Sequence, residues 1–264
     1  MSKKIALVMG VANQRSIAWS CVHSFVNSGD WDVIFTYQND KMKSRVEPLL
    51  QHPSVLKGLA YDVNNLEGDF SEQLQNILGD SNKQISAVVH SIAHAKNLKT
   101  TPLLETALED YLQAHEISAY SLISTIKAIQ PLLSTTSVGA GSSITALSYL
   151  GATKAVPGYN VMGPAKASLE SIVRGLAIEL APHRINAISA GPIASLSAKG
   201  GIANFNLMKQ EMTERAPLGN VTADQVANTI RFLASDDASG ITGQTIFVDG
   251  GYSIVAGPAG PREN

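Results

Sequence analysis

The chain predicts a single doubly wound α/β domain: a mostly parallel sheet of about seven strands with helices on both faces. Three observations predict it. A length of 264 residues suits one large domain better than two small ones. Short β-rich runs alternate with amphipathic helical segments along nearly the whole chain. The strand runs are apolar throughout, not at every second residue, as strands covered on both faces must be.

The strand runs, in order, are IALVMG (5–10), DVIFTY (32–37), LAYDV (59–63), ISAVVHSIA (85–93), SSITALSY (142–149), RINAISAG (184–191) and TIFVDGG (245–251). Helical patterns lie between them near 16–28, 40–51, 67–79, 109–133, 160–181 and 222–235. No internal repeat or linker interrupts the alternation, and only the closing GPAGPREN reads as disordered. Composition narrows the function classes. A net charge of −2 gives no basic field for nucleic acid. A lone cysteine, Cys21, forbids an internal disulfide and suits a reducing compartment. The opening MSKKIALVMG has a signal-like look, but its apolar run is short and Asn13, Gln14 and Arg15 follow with no export-type cleavage site. No apolar stretch approaches the roughly 20 residues that span a bilayer. The expectation is a soluble, cytoplasmic chain with no membrane insertion.

Ligands of such sheets bind at the carboxyl ends of the strands. After the first strand comes GVANQRSIAWS: Gly10 can turn sharply, and Ser16 is a natural N-cap for a helix from Ile17. A helix N-terminus exposes unpaired N–H groups and attracts a pyrophosphate. An ordinary strand–helix turn needs the same residues, and the fuller glycine fingerprint is absent. After the second strand, Gln38 can bond ribose hydroxyls without repelling a phosphate, whereas an acid or an arginine there would select one cofactor form. This favours NADH and leaves NADPH open; Lys41, Lys43 and Arg45 fall on the following helix. Asp62 and Val63 close the third strand, where a carboxylate can meet an adenine amino group. Ser91, Ile92 and Ala93 close the fourth.

At 159–166 the chain reads YNVMGPAK, and apolar positions 165, 169, 172, 173, 176 and 180 recur at helical spacing. Pro164 is tolerated only in a first turn, which places the helix start near Asn160 as N-cap. Seven residues at about 100° each return Lys166 to the azimuth of Tyr159, two turns on. A packed tyrosine and a snorkelling lysine would satisfy that spacing too. The preceding strand, however, delivers Tyr149 to the same sheet edge, and the next ends in ISAGPIASLS, where Ser195 can donate to a phosphate. The segment SAKGGIANFNLM then suits a mobile lid.

Taken together, GVAxxxSIA, FTYQNDK, HSIA, LSYLGA, YNVMGPAKASLE, RINAISAGPI and TGQTIFVDGGYSI resemble, over residues 3–255, the bacterial enoyl-acyl-carrier-protein reductases, a divergent branch of the short-chain dehydrogenase/reductases. The resemblance implies a Rossmann-type domain over 1–255 with a substrate lid near 195–215 and a flexible tail at 256–264. It implies hydride transfer from NADH to C3 of a trans-2-enoyl thioester on acyl carrier protein, by a homotetramer. It implies catalytic phenols at Tyr149 and Tyr159, and Lys166 on the nicotinamide ribose. It also implies cofactor contacts at Gly10, Ser16, Ile17, Gln38, Asp62, Val63, Ile92, Ile193, Ala194, Ser195, Leu196 and Ser197, and substrate contact at Ala95. Tyr37 and Lys41 have the Y-x3-K spacing usual in the superfamily but stand at the adenosine end, and are read as coincidence. His94, Lys199–Gly201 and Ser195 depart from the family's pattern.

An enoyl thioester takes hydride at C3 while charge develops on the remote thioester oxygen. The hydrogen-bond donor to that oxygen must therefore be displaced relative to the nicotinamide, unlike in a ketone reductase, which fits Y-x6-K. The enolate is then protonated at C2 by water or a relay. Alternative readings are a 3-oxoacyl or carbonyl reductase on the same fold and a non-catalytic dinucleotide sensor. A catalytic metal is not expected: His90 and His94 sit at a strand end, and HEISA at His115 lacks a second histidine.

Overall fold

The computed structural model describes residues 3–64, 70–79, 83–98, 100–135, 141–195 and 205–256. Leu196, Ser197, Lys199–Gly201 and the tail beyond Ala256 lie outside the described residues.

Seven strands form one parallel sheet: β1 (Lys4–Met9), β2 (Trp31–Tyr37), β3 (Val55–Ala60), β4 (Ile85–His90), β5 (Ser143–Ser148), β6 (Arg184–Ala190) and β7 (Thr245–Val248). Their order is β3-β2-β1-β4-β5-β6-β7, so the direction of winding reverses between β1 and β4. The carboxyl ends of those two strands diverge there into opposite crossovers, which opens a crevice for a ligand. The central strands are buried on both faces, which their unbroken apolar runs require. β3 corrects the predicted run at 59–63. It begins at Val55 and ends at Ala60, because an edge strand tolerates Lys57 and Gly58 and does not need a continuous apolar run.

Helices α1 (Ile17–Asn27), α2 (Asp40–Val46) and α8 (Ala223–Leu233) cover one face, and α3 (Phe70–Leu78), α5 (Ser121–Ile129) and α6 (Met162–Glu179) the other. Between them in sequence lie α4 (Leu108–His115) and α7 (Phe205–Arg215). Ser16 caps α1, accepting from the Trp19 N–H at 3.3 Å, as expected. Thr222 and Gln225 form a reciprocal capping box on α8.

Two predicted helices are subdivided. The pattern at 40–51 breaks after Val46, and Pro48 starts a 3-10 turn. The pattern at 109–133 holds α4, a π turn (Glu116–Tyr120), α5 and a closing 3-10 turn. A π turn inserts one residue into the ladder and often marks a functional site. Here it places Ser118 against His94 and Ser121 against His90.

Arg184, buried at the start of β6, donates to the carbonyls of Leu233, Ala238 and Ser235 at 2.7, 2.9 and 3.1 Å. These carbonyls end α8 and the turn after it. Arg184 adds a charged donor to the Ser143 hydroxyl at Leu233, the Ala238 N–H at Ser235 and the Ile241 N–H at Ala238. Arg184→Met is expected to lower stability by about 3 kcal/mol, the scale of charged hydrogen bonds lost from buried acceptors. Urea denaturation midpoints check this; an unchanged midpoint contradicts it.

Candidate active site

Two cavities adjoin at the carboxyl edge of the sheet, sharing Ala93 and His94. The first, of about 410 Å³, lies over the β1/β4 reversal and is lined by Gly10, Gln38, Asp62, Val63 and Ile92 among others. Gly10 has φ +84°, and a Cβ there would sit 2.2 Å from the Ser91 carbonyl oxygen. Only glycine lets β1 turn away this close to the end of β4. The Gly10 N–H is held by Thr36 Oγ1 at 3.3 Å, and Gln38 Nε2 donates to Asp62 Oδ2 at 3.3 Å.

The second cavity, of about 270 Å³, brings together Ile17, Ala95, Tyr149, Tyr159, Lys166, Ile193 and Ser195. Tyr149 follows β5 directly, and Tyr159 precedes α6. Their rings meet edge to face, centroids 4.7 Å apart at 64°, a favoured aromatic arrangement. Gly151 makes this possible, since a Cβ there would lie 2.4 Å from the Tyr159 ring. Burial raises the phenol of Tyr159, with the neighbouring Tyr149 adding to the effect. Burial likewise raises that of Tyr149, helped by Tyr252 and Glu211. Both are therefore protonated donors at neutral pH. Tyr149 donates to Met208 Sδ on α7 at 3.1 Å.

Lys166 is 4% exposed and its Nζ donates to the Leu147 carbonyl at 2.6 Å. Burial pulls its ammonium down to about 8, against an opposing pull from Glu170. His90 is pushed down to about 3, by burial first and by the Lys166 charge second. It is a neutral imidazole, with Nε2 2.9 Å from Ser121 Oγ.

The predicted helix start is corrected. Asn160 is not the N-cap: α6 begins at Met162, and Asn160, at φ +22°, turns its amide to the carbonyls of Leu98 and Thr101 at 3.2 and 2.6 Å. Tyr159 thus hangs on a tethered turn and not on the helix mouth, yet it still shares a cavity with Lys166. Ser16 and Ala194 line neither cavity; Ser16 acts through its cap. Tyr37 and Lys41 also stay outside both.

The enoyl-acyl-carrier-protein reductase model matches residues 10–253. The chain is 39% identical over 262 residues to the NADH enoyl-acyl-carrier-protein reductase of Bacillus subtilis, covering 95% of this chain and 96% of that one. It is 40% identical over 260 residues to the enzyme of that name from Enterococcus faecalis, covering 96% and 99%. The chain belongs to the enoyl-acyl-carrier-protein reductase family. Solved structures agree. The reductase of Bacillus cereus, crystallised with NADP+ and an indole naphthyridinone, superposes with TM-score 0.87 at 40% identity, covering 97% of this chain and 98% of that one. The Anaplasma phagocytophilum enzyme with NAD gives 0.85 at 33% identity, covering 100% and 97%.

The residues of this reductase fold fit a dinucleotide. The groove offers an amide, Gln38, and a carboxylate, Asp62, but no lysine or arginine among its described lining residues. It also contains Gln113, whose Oε1 is buried without a partner. That donor set suits an adenosine with a free 2′-hydroxyl and supplies no cation for a 2′-phosphate. At the other end Lys166 brings the buried positive charge.

Sequence reasoning missed Phe205 and Met208, which close the cavity from α7, because that stretch reads as lid. It also missed Glu170 and Ser148. Glu170 stands four residues past Lys166, a spacing that puts both on one helix face, and that signal was available.

Proposed function

We propose that this chain reduces the C2–C3 double bond of a trans-2-enoyl thioester carried on acyl carrier protein, with NADH as reductant and NADPH as a weaker alternative. The observation that carries the reading is the convergence of Tyr149, Tyr159 and Lys166 on one cavity that adjoins the dinucleotide groove at Ala93 and His94. NADH, when bound, supplies the hydride. Tyr159, neutral and buried, donates a hydrogen bond to the thioester oxygen, where negative charge builds up. The enolate then takes a proton at C2 from water or a relay to give the saturated thioester. Lys166 holds the nicotinamide ribose and adds positive potential beside that charge. Gln38 and Asp62 hold the adenosine, and Ser195 meets the pyrophosphate, with Ile193 beside it in the same cavity. Tyr149, held by Met208, walls the acyl side with Ala95. The apolar lining from Leu98, Met162 and Phe205 suits an acyl chain.

The reading extends to a cytoplasmic homotetramer. No described helix is long and apolar enough to cross a membrane. Leu108 and Leu112 on α4, Tyr120 on the π turn and Ile178 on α6 stand exposed, which supports a face covered by another copy.

Initial rates with crotonyl and longer enoyl thioesters, using NADH and then NADPH, test the function. NADH oxidation with enoyl but not acetoacetyl thioesters is expected. Preference for acetoacetyl thioester would make the protein a 3-oxoacyl reductase, and tight NADH binding without turnover of either would make it a sensor.

A further inference from the structure

The lysine that the proposed chemistry relies on is itself buried, and such a charge needs support from the protein. That support comes from its own helix and the adjoining strand end. Glu170 is 6% exposed and lies one turn beyond Lys166 on α6, on the same face. Ser148 Oγ donates to Glu170 Oε1 at 2.5 Å, a short charge-assisted bond. The Lys166 ammonium bonds the carbonyl of the neighbouring Leu147. Two consecutive residues at the end of β5 are thus pinned to two side chains of α6, and the residue that follows β5 is Tyr149.

We propose that Glu170, tethered by Ser148, is a positioning residue that keeps Lys166 charged and fixed against the end of β5, and thereby sets the pH range over which the site holds its dinucleotide. This rests on the reductase reading above and assigns a role that Tyr149, Tyr159 and Lys166 do not fill. Among the titratable groups around Lys166, His90 from β4 is held neutral by burial, and Tyr149 and Tyr159 are held protonated by it. Glu170 is the group whose charge opposes the lowering of Lys166 by burial. His94 stands exposed on the rim that joins the two cavities, and all profiles are compared in a His94→Ala background.

The sign follows from the direction of the shift. Lys166 lies below the ordinary lysine range, so its ammonium is complete below about 8 and is lost as pH rises through it. Removing the neighbouring carboxylate lowers it further, and the loss of charge starts at lower pH.

The test measures the NADH dissociation constant by fluorescence from pH 6 to 10, with circular dichroism confirming folded protein. In the parent chain, affinity is expected to fall on the alkaline side through about pH 8. In Glu170→Gln that limb is expected to move down by about half a pH unit or more, the direction a lost favourable charge dictates, and Glu170→Asp restores it. A Glu170→Gln profile that overlays the parent overturns the proposal, as does a Glu170→Asp profile displaced equally far, which would make the effect one of packing. Ser148→Ala stands in if Glu170→Gln does not fold. Without its tether the carboxylate loses its fixed place on the helix face that also carries Lys166, its support for the ammonium weakens and the limb again moves down; an unmoved limb overturns the proposal. Failure of the parent chain to bind NADH at any pH would instead sink the reductase reading, so the two failures are distinguishable.

Discussion

Tyr159→Phe is expected to lower kcat by about 10²–10³-fold, the cost of losing one oxyanion donor, while the NADH dissociation constant changes by no more than about twofold. The substitution removes one oxygen and leaves the ring. The ring is what packs, edge to face on Tyr149 and close under Gly151, so the fold has no reason to respond. The hydroxyl contributes most when charge has built up on the thioester oxygen, so its loss falls on the transition state and not on the cofactor. Because burial raises the phenol, the donor keeps its proton across the working range, and the variant's defect should not be recovered by lowering the pH. Single-turnover kinetics beside NADH titration check the split. Equal losses in turnover and cofactor binding would show that Tyr159 is not the oxyanion donor.

The second large effect is at Lys166. Lys166→Ala is expected to weaken NADH binding by about 10–100-fold, consistent with roughly 1.5–3 kcal/mol for a hydrogen bond to a charged group. Lys166→Met separates causes. It keeps the aliphatic stem that fills the space between α6 and β5 but has no ammonium to bond ribose hydroxyls or the Leu147 carbonyl. If Met binds NADH as poorly as Ala, the charge and its hydrogen bonds carry the effect. If Met restores binding, packing carries it, and an unaltered dissociation constant in both variants removes Lys166 from the cofactor site.

Much of this architecture is legible before any coordinates. The central strands announce themselves as continuous apolar runs, and glycine marks the turn after β1 where the ligand crevice opens. Capping chemistry places the start of α1 correctly, since Ser16 acts on the amide three residues on. Reasoning fails where a side chain has a distant competitor. Asn160 is a good local cap, but its amide is claimed by Leu98 and Thr101, some sixty positions earlier, and the helix starts later without it. The edge strand β3 is misplaced because its neighbours on one side are solvent, so hydrophobic pattern says little there. The π turn is invisible, because it answers to His90 and His94 across the fold and not to any residue pattern of its own.

By itself, then, the sequence determined the alternation of central strands and helices, the glycine turn after β1 and the cap of α1, because burial patterns and helix caps act over a few residues. The tertiary structure alone decided the order of the strands. It alone decided, too, that Tyr149 and Tyr159 meet edge to face, that Met208 reaches the Tyr149 hydroxyl, and that Ser148 bonds Glu170. Those relations join segments tens of residues apart, and only the packing of α6 and α7 against the end of β5 brings them within hydrogen-bond reach.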